Sequence, residues 1–394
     1  MNLDGGVDWS SLPAPAAGLR CTIVLPARDE AALLPRALRA LADQRQVPCV
    51  HEVIALANNC SDDTATIARE FASSCIDCAI HVVEVSWPED IAHVGRARRA
   101  LMDVAASRVE SHAPKRGIVL STAADTRVAS DWLATTVMAI DAGADAVGGR
   151  IIADVDDVGT NGDAVLSRTA RRLMRLDDDY RAERARLEWL VDPDPADPWP
   201  RHHQHFGASL AVTASAYRAV GGLPLVPFLE DEALVQALRL EDRSVRHCPQ
   251  VRVHTSARLD GRTVVGLSWQ LREWSRQTDD GCPRVPDPAA EARRWAERRS
   301  ARSVWSNAQG PQRPAARRTA HDLAALAATL RIDVHRLQAL LARSSSFGRW
   351  WVAIEQQRAP LRSRALPMDE ALRRLRWLTS RSWRPPGAGS SRGR

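Results

Sequence analysis

The first third of the chain alternates short apolar runs with longer segments of helical periodicity. Four apolar runs have the length of a strand: 21–26, 52–57, 81–85 and 117–122. The segments between them repeat apolar positions every three or four residues, at 30–44, 62–72 and 93–107. Strands that alternate with helices of this length predict an α/β fold, a mostly parallel sheet with helices on both faces.

Ligands of such sheets bind beyond the carboxyl ends of the strands, where the connecting loops gather. Three segments of this chain directly follow predicted strands, at residues 26–30, 58–62 and 122–127. All three fall where a nucleotide would be expected. The sequence therefore predicts a ligand site built from these loops.

Two acidic signals occur in one order along the chain. A predicted strand runs into STAADT at 121–126, and GGLPLVPFLEDEALVQAL follows at 221–238. The first can hold a metal-bound phosphate, because magnesium and manganese accept one or two carboxylates together with substrate phosphates. The second can present a carboxylate as a general base. Together they indicate an enzyme that handles a diphosphate-linked substrate.

The composition indicates the number of domains and the cellular compartment of the protein. The chain has 394 residues, enough for two or three domains. Its seven cysteines lack framework spacing, which indicates a reducing compartment, and the pair Cys75 and Cys78 has no second pair at zinc-finger spacing. The N-terminal residues lack the basic and apolar regions of a signal peptide. No apolar run reaches the length of a membrane span. We therefore expect a cytoplasmic protein.

The composition changes near residue 281. GCPRVPDP is typical of a linker, and arginine and tryptophan then accompany two segments of helical periodicity, at 320–343 and 368–381. Lys115 is the only lysine, so we do not interpret the arginine content as nucleic-acid recognition. A basic amphipathic helix leaves a peripheral membrane contact open as an alternative. The expected organisation is a tail, an α/β domain, a linker and a helical, partly disordered extension, at 1–18, 19–280, 281–288 and 289–394.

Five segments, in this order, carry a resemblance to a known family: IVLPARDEAALLPRAL, VIALANNCSDDTATIA, VLSTAADTRVASDWLATTV, HFGASLAVTASAYRAVGGLP with FLEDEAL, and VRVHTSARLDGR. They resemble segments of the family 2 glycosyltransferases of the GT-A fold. The first two are similar to that family's opening strand-helix and second strand-turn, the third to its metal-site strand, and the fourth to its acceptor-side segment and Glu-Asp base motif. The resemblance covers about residues 19–280.

The resemblance implies a GT-A-like fold and transfer of a sugar from a nucleotide-diphosphate donor to an acceptor, with inversion at the anomeric carbon. Asp231 is then the catalytic base. The donor-binding residues are Pro26, Arg28, Glu30, Asn58, Asp62, Arg96, Arg99 and Asp125. Contacts to the acceptor or to phosphate come from Glu230, His205 and Arg258. The ligands of a divalent Mn²⁺ or Mg²⁺ ion are Asp125 and His254.

The chain departs from the family pattern at three places. Ala123 and Ala124 precede Asp125 where members usually carry Asp-x-Asp, so the first carboxylate is missing. Asn58 stands where an acidic residue often contacts the base or ribose. Glu273 occupies the arginine position of the Gln-x-x-Arg-Trp motif of processive members, which favours a non-processive enzyme. The metal requirement and the choice of nucleotide therefore stay open.

Several alternatives also stay open. Glu232 takes the role of base if the register shifts by one residue. Arg96 and Arg99 can instead form a solvated helix face, and His254 can be a hydrogen-bonded residue at a strand end. At the level of function, the rivals are a catalytically impaired relative that binds a sugar nucleotide, and an interaction protein that acts through its basic C-terminal region.

Overall fold

The computed structural model describes residues 6–155, 166–261, 264–278, 281–309, 316–358 and 364–380, with the backbone alone at 316–319. The described residues fall into two compact units. The first contains the residues up to Arg171 together with Pro200–Leu238 and Arg243–Thr278. The second contains Arg172–Trp199, Arg239–Asp242 and the residues beyond 278.

The first unit is built on a mixed sheet, in which eight strands are described: β1 Leu19–Ala27, β2 Val50–Asn58, β3 Ala79–Val85, β4 Ile118–Thr122, β5 Thr126–Val128, β6 Ala146–Asp154, β7 Ser209–Thr213 and β8 Val245–Ser256. Their order is β3-β2-β1-β4-β7-β6-β8-β5. The pairs β3–β2, β2–β1, β1–β4 and β6–β8 are parallel, and the other three are antiparallel. The predicted α/β class and its mostly parallel sheet are confirmed.

Helices follow the strands as the alternating pattern predicts: α1 Leu34–Ala42, α2 Thr64–Ser74, α3 Val94–His112, α4 Trp132–Asp141, α5 Arg168–Val191, α6 Ala214–Ala219, α7 Glu230–Leu240 and α8 Leu267–Ser275. The first begins four residues later than its apolar periodicity indicates. Asp29 has a positive φ of 52°, and Pro35 occupies the first turn of the helix. Residues 30–33 therefore form a turn that leads from the strand into the helix.

Two apolar clusters cover the two faces of the sheet. Ile23 and Leu25 of β1 belong to the cluster that contains α1 and α4, whereas Val24 belongs to the cluster that contains α3. Because successive side chains of a strand point to opposite faces, a strand covered on both sides is apolar throughout. The predicted N-terminal tail contributes here, since Val7 is buried in the α3 cluster.

The second unit is helical. Part of α5 packs with α9 Pro288–Gln309 and α13 Met368–Ser380, through an apolar cluster that includes Tyr180, Leu187, Trp295 and Leu375. A further cluster joins α9 with α10 Ala316–Leu330, α11 Val334–Arg343 and α12 Phe347–Gln357 around the buried Trp350. Two short strands, β9 Arg284–Val285 and β10 Leu366–Pro367, pair antiparallel.

The division into two units can be compared with the predicted domain boundaries. Residues 172–199 cluster with the C-terminal helices, and the predicted linker 281–288 contains β9 and the first residue of α9. Residues 154–198, which are rich in aspartate, contain α5, and residues 156–165 among them lie outside the described part of the chain. Whether 19–280 folds as a domain by itself stays a prediction. Among the described helices, none combines the length and the apolar character needed to span a membrane.

Candidate functional site

The loops after β1 and β2 meet at the carboxyl edge of the sheet, as the strand pattern predicts. The carboxylate of Asp29 accepts hydrogen bonds from Ser61, at 2.7 Å from the backbone nitrogen and 3.0 Å from the hydroxyl oxygen. The carboxylate of Asp62 in turn accepts one from the backbone nitrogen of Ala31 at 3.0 Å. These reciprocal bonds hold the two loops together, beside the buried Asn58 at the end of β2.

One group of metal-ligating side chains is found at this edge among the described residues. Ligand atoms of Asp29, Cys60 and Asp62 lie within 4.8 Å of one another. Burial raises the pKa of the Cys60 thiol, and the hydrogen bonds that it receives oppose that effect. The sequence motifs did not indicate this group, since they pointed to Asp125 and His254.

The arginines expected at the donor have protein partners. Arg28 donates to the Ala92 carbonyl at 2.9 Å and pairs with Glu89 at 2.9 Å. Arg99 pairs with Asp103 at 2.6 Å and donates to the Leu223 carbonyl at 2.6 Å. The guanidinium carbon of Arg96 lies 5.4 Å from the centre of the Trp87 ring. Pro26 lies half-buried near the end of β1. Contacts with other parts of the protein therefore hold the side chains of Arg28, Arg96 and Arg99 in place.

Asp125, Glu30 and Arg258 form a connected group at the carboxyl ends of β4, β1 and β8. The guanidinium of Arg258 bonds both carboxylate oxygens of Glu30, one of them at 2.9 Å, and lies 3.2 Å from Asp125 Oδ2. Glu30 and Arg258 are buried, at 6% and 8% exposure. The structure thus brings together three of the predicted site residues, which lie far apart in the sequence.

The structure does not bring His254 to Asp125. Its ring nitrogen Nδ1 lies 3.0 Å from Asp154, a residue that also pairs with Arg127 at 2.5 Å. Side chains alternate along β8, and Thr255, the next residue, is the one whose hydroxyl bonds that of Thr126 beside Asp125. A metal centre that joins Asp125 and His254 is therefore not assembled here.

Asp231 lies in the first turn of α7, where the positive end of the helix dipole favours an anion. Its carboxylate accepts a hydrogen bond at 2.6 Å from the backbone nitrogen of Gly207, in the loop before β7. The second oxygen accepts one from the backbone nitrogen of Glu232 at 2.7 Å. With 9% exposure, the Asp231 carboxylate is buried and held in one orientation.

Glu230 is also buried, but it is engaged by an arginine that the sequence motifs did not indicate. Arg98 of α3 forms an ion pair with Glu230. Burial lowers the pKa of the Arg98 guanidinium, and the negative charge of Asp231 opposes that effect. A side chain at Gly207 would overlap the same guanidinium. Arg98 therefore fills the space beneath the loop that orients Asp231.

His205 lies two residues before Gly207, and both of its ring nitrogens have hydrogen-bond partners. Nε2 lies 2.5 Å from Glu232 Oε2, and Nδ1 lies 3.1 Å from Nε2 of His247. The expected contact between His205 and phosphate or acceptor would require one of these bonds to be exchanged. Glu232, the alternative base, thus ends a chain of hydrogen bonds that runs through His205 to His247.

Sequence reasoning missed Arg98, Gly207 and His247. None stands in a motif with fixed spacing to its partner: Arg98 meets a glutamate from a distant helix, and His247 meets His205 across 42 residues. The sequence does offer a signal for Gly207. Phe206 and Gly207 precede ASLAV in the segment that resembles the family's acceptor-side segment. A glycine at such a position permits the close approach of another group.

Residues 22–193 match the family model described as "Glycosyl transferase family 2". This match agrees with the family that the sequence motifs predict. The match begins within β1, runs past β6 and includes Asp125, whereas Asp231 and Arg258 lie beyond its end. No curated protein matches the sequence.

Solved structures with a similar arrangement include the following. S. aureus TarS 1-349 in complex with UDP is 12% identical, with a TM-score of 0.40 over 86% of this chain and 90% of that one. The mannosyltransferase PcManGT from Pyrobaculum calidifontis, in complex with GDP-Man and Mn2+, is 16% identical, with a TM-score of 0.40 over 95% and 92%. Glucosyl-3-phosphoglycerate synthase from Mycobacterium tuberculosis is 16% identical, with a TM-score of 0.36 over 68% and 84%.

Proposed function

We propose that the chain is an inverting, non-processive glycosyltransferase that moves a sugar from a nucleotide-diphosphate donor to an acceptor hydroxyl. The observation that carries this proposal is the placement of Asp231: a buried carboxylate at a helix N-terminus, fixed by the backbone N–H of Gly207. Such a group can accept a proton without first reorganising, in a chain whose residues 22–193 match the family model.

The reaction is a single displacement. The acceptor hydroxyl attacks the anomeric carbon from the face opposite the diphosphate, and a new carbon–oxygen bond forms there. The bond between that carbon and the diphosphate oxygen breaks, and its electron pair leaves with the diphosphate. Asp231 accepts the hydroxyl proton. A positioned base of this kind contributes roughly 10²–10⁴-fold to the rate.

The donor is proposed to lie at the carboxyl edge of the sheet, where the loops after β1, β2 and β4 meet. Asn58 and Asp62 border this edge on one side, and Asp125 with Arg258 on the other. Asn58 offers an amide, which can donate and accept, where family members often carry an acid. The base and ribose of the nucleotide are expected on the side of Asn58, and the diphosphate on the side of Arg258.

The divalent metal implied by the family does not fit the residues around Asp125 as a two-ligand centre. Ala123 and Ala124 supply no oxygen ligand, and His254 bonds Asp154. The residues around Asp125 therefore support no metal-dependent step. The group Asp29, Cys60 and Asp62 offers hard oxygen ligands near the same edge, but its carboxylates already accept backbone hydrogen bonds.

One observation favours a second candidate function. The loss of a carboxylate at Ala123 is what a relative that binds a sugar nucleotide without turnover would show. The test is to incubate the purified full-length chain with UDP- and GDP-sugars and to measure both their binding and the release of nucleoside diphosphate. Release supports the transferase, whereas binding of a sugar nucleotide without any release, with or without added acceptors, supports the binding protein and contradicts our proposal.

A further inference from the structure

A guanidinium group lies where the acidic motif after β4 implies a metal ion. Arg258 follows β8 and reaches Asp125, with 3.2 Å between Arg258 Nη2 and Asp125 Oδ2. The same guanidinium is held by both carboxylate oxygens of Glu30, which follows β1. This cation is built into the fold, because Arg258 and Glu30 are both buried.

We propose that Arg258, and not a divalent metal ion, supplies the positive charge that meets the donor diphosphate in this chain. The inference rests on the proposed glycosyl transfer and concerns the same site. It makes the transfer independent of metal, and it gives Glu30 and Asp125 the role of orienting a guanidinium.

The ligand set supports this assignment. Magnesium and manganese are held by carboxylate, carbonyl and water oxygens, or by histidine in place of one of these. Asp125 is a single carboxylate, since Ala123 and Ala124 precede it, and His254 is turned to Asp154. The hydroxyl of Thr126 lies 3.2 Å from the remaining oxygen of Asp125. Both oxygens of the one carboxylate thus already have partners in the protein.

The electrostatics of the group also support Arg258, and not a metal ion, as the cation. A divalent ion on Asp125 would lie next to a guanidinium that Glu30 holds in place, and like charges at this separation repel strongly away from bulk water. A diphosphate oxygen that takes the place of the Asp125 carboxylate would instead be attracted to the guanidinium. The planar fork of arginine matches phosphate geometry, and its charge does not depend on pH in the neutral range. The contact of Arg258 with Asp125, at 3.2 Å, is longer than its contact with Glu30 at 2.9 Å, so Asp125 is the partner that phosphate can replace.

The two assignments differ sharply at Asp125. If Arg258 binds the diphosphate, Asp125→Asn removes a competing negative charge, and nucleotide binding should be kept or strengthened. If Asp125 holds a metal ion, the same change should abolish metal-dependent binding. The discriminating experiment is calorimetric titration of UDP and of GDP into the full-length chain, with EDTA and with MnCl₂, for the wild type and Asp125→Asn.

We expect at least one of the two nucleotides to bind equally well with EDTA and with MnCl₂, and to bind Asp125→Asn at least as tightly. Arg258→Gln should weaken that binding by roughly tenfold or more, because a charge-assisted hydrogen bond is lost, and Arg258→Lys should restore part of it. The matched control is Arg276→Gln, which removes an exposed arginine paired only with Glu273 in the described contacts and should change nothing.

A different result would overturn the inference. If nucleotide binding requires Mn²⁺, whichever carboxylate holds the ion, metal rather than Arg258 supplies the charge, while the proposed transfer stands. If Asp125→Asn abolishes binding, the guanidinium assignment also fails. If neither UDP, GDP nor any sugar nucleotide binds under either condition, the proposed function fails together with the inference. The first two outcomes require no Arg258 variant, so they hold even where Arg258→Gln does not fold.

Discussion

At the scale of single residues, the buried carboxylate of Asp231 is the group whose removal should stop transfer. Asp231→Asn keeps the size of the side chain and an oxygen for the Gly207 N–H, but it cannot accept the acceptor's proton. We expect kcat to fall by about a hundredfold or more, with the donor dissociation constant nearly unchanged. Steady-state kinetics and calorimetry with the same donor measure the two quantities.

The neighbouring carboxylate provides the control for this experiment. Glu232→Gln replaces the carboxylate by an amide that can still hydrogen-bond His205, and it leaves Asp231 unchanged. It should retain most of the transfer rate. An Asp231→Asn protein that keeps more than about a tenth of the rate would contradict the assignment, and a larger loss in Glu232→Gln would move the role of base to that residue.

Gly207 is the second residue on which the site depends. Its backbone nitrogen orients Asp231, and a methyl group at this position would overlap the Arg98 guanidinium. We expect Gly207→Ala to lower stability by about 1–3 kcal/mol, as overpacking does, and to lower kcat more than it raises the donor KM. Chemical denaturation and steady-state kinetics provide the measurements.

Gly261→Ala is the matched control for Gly207→Ala. Its added methyl group would meet the side chain of Ser268, away from Asp231. It should leave kcat unchanged, whatever its effect on stability. A Gly207→Ala protein with wild-type kcat would show that the N–H of this residue does not orient the base.

These residues also show how far the sequence predicts the site. Asp231 and Asp125 stand in motifs, so local sequence was sufficient to select them. Arg98 was not selected, because its partner Glu230 is brought to it only by the packing of α3 against the start of α7. His254 bonds Asp154 and not Asp125, because a strand end by itself does not tell which of two successive side chains faces Asp125. Arg258 was selected as a phosphate contact, but not its bond to Glu30 across 228 residues.

At the scale of elements, hydrogen bonds and ion pairs of the Glu52 side chain link three strands and a helix. It lies on β2, accepts bonds from Arg108 of α3 at 2.7 Å to each oxygen, and bonds Thr22 of β1 at 3.0 Å and His81 of β3 at 3.4 Å. Burial raises the pKa of Glu52, but the bonds from Arg108, His81 and Thr22 outweigh it and lower this pKa to about 2. The charged form of Glu52 is therefore favoured in the folded protein.

The sign of the pH effect follows from that lowered pKa. Glu52 contributes stability above the pKa that it has in the unfolded chain, and this contribution is lost as the pH falls from about 5 toward 2. We expect Glu52→Gln to lower the free energy of unfolding at neutral pH by about 3–5 kcal/mol, because it leaves Arg108 buried without its charge partner. The wild type and the variant should converge in stability as the pH falls. Urea titrations across this range test the expectation, and a constant difference between them would contradict it.

Strand and helix periodicity were enough to predict the elements around Glu52. Four strands and three helices of the N-terminal third occur in the predicted order and close to the predicted positions, although α1 begins four residues later. The pattern is clear there because parallel strands covered on both faces are apolar throughout, and the helices between them are amphipathic. The pairing of α5 with the C-terminal helices was not predicted, because its apolar residues show only that the helix has a buried face, not which helix covers it.

At the scale of the whole molecule, the second unit contains residues from two distant parts of the chain. Tyr180, Leu187 and Val191 of α5 are buried with Trp295 of α9 and with residues of α13. Ion pairs reinforce this packing, among them Arg298 with Asp192 at 2.5 Å and with Glu188 at 2.9 Å. Residues 172–199 therefore depend on partners that lie beyond residue 278.

We expect a chain shortened to residues 1–278 to aggregate or to melt at a clearly lower temperature than the full-length protein. The truncation removes α9 and α13, and the apolar face of α5 that they cover within this unit becomes exposed. Gel filtration and thermal denaturation measure both effects. A chain ending at residue 380 is the control, because it keeps the packing of α5 against α9 and α13. It should behave like the full-length protein. If the 1–278 chain is instead monomeric with an unchanged melting temperature, α5 does not need its C-terminal partners, and the boundary near residue 280 predicted from the proline-rich segment holds.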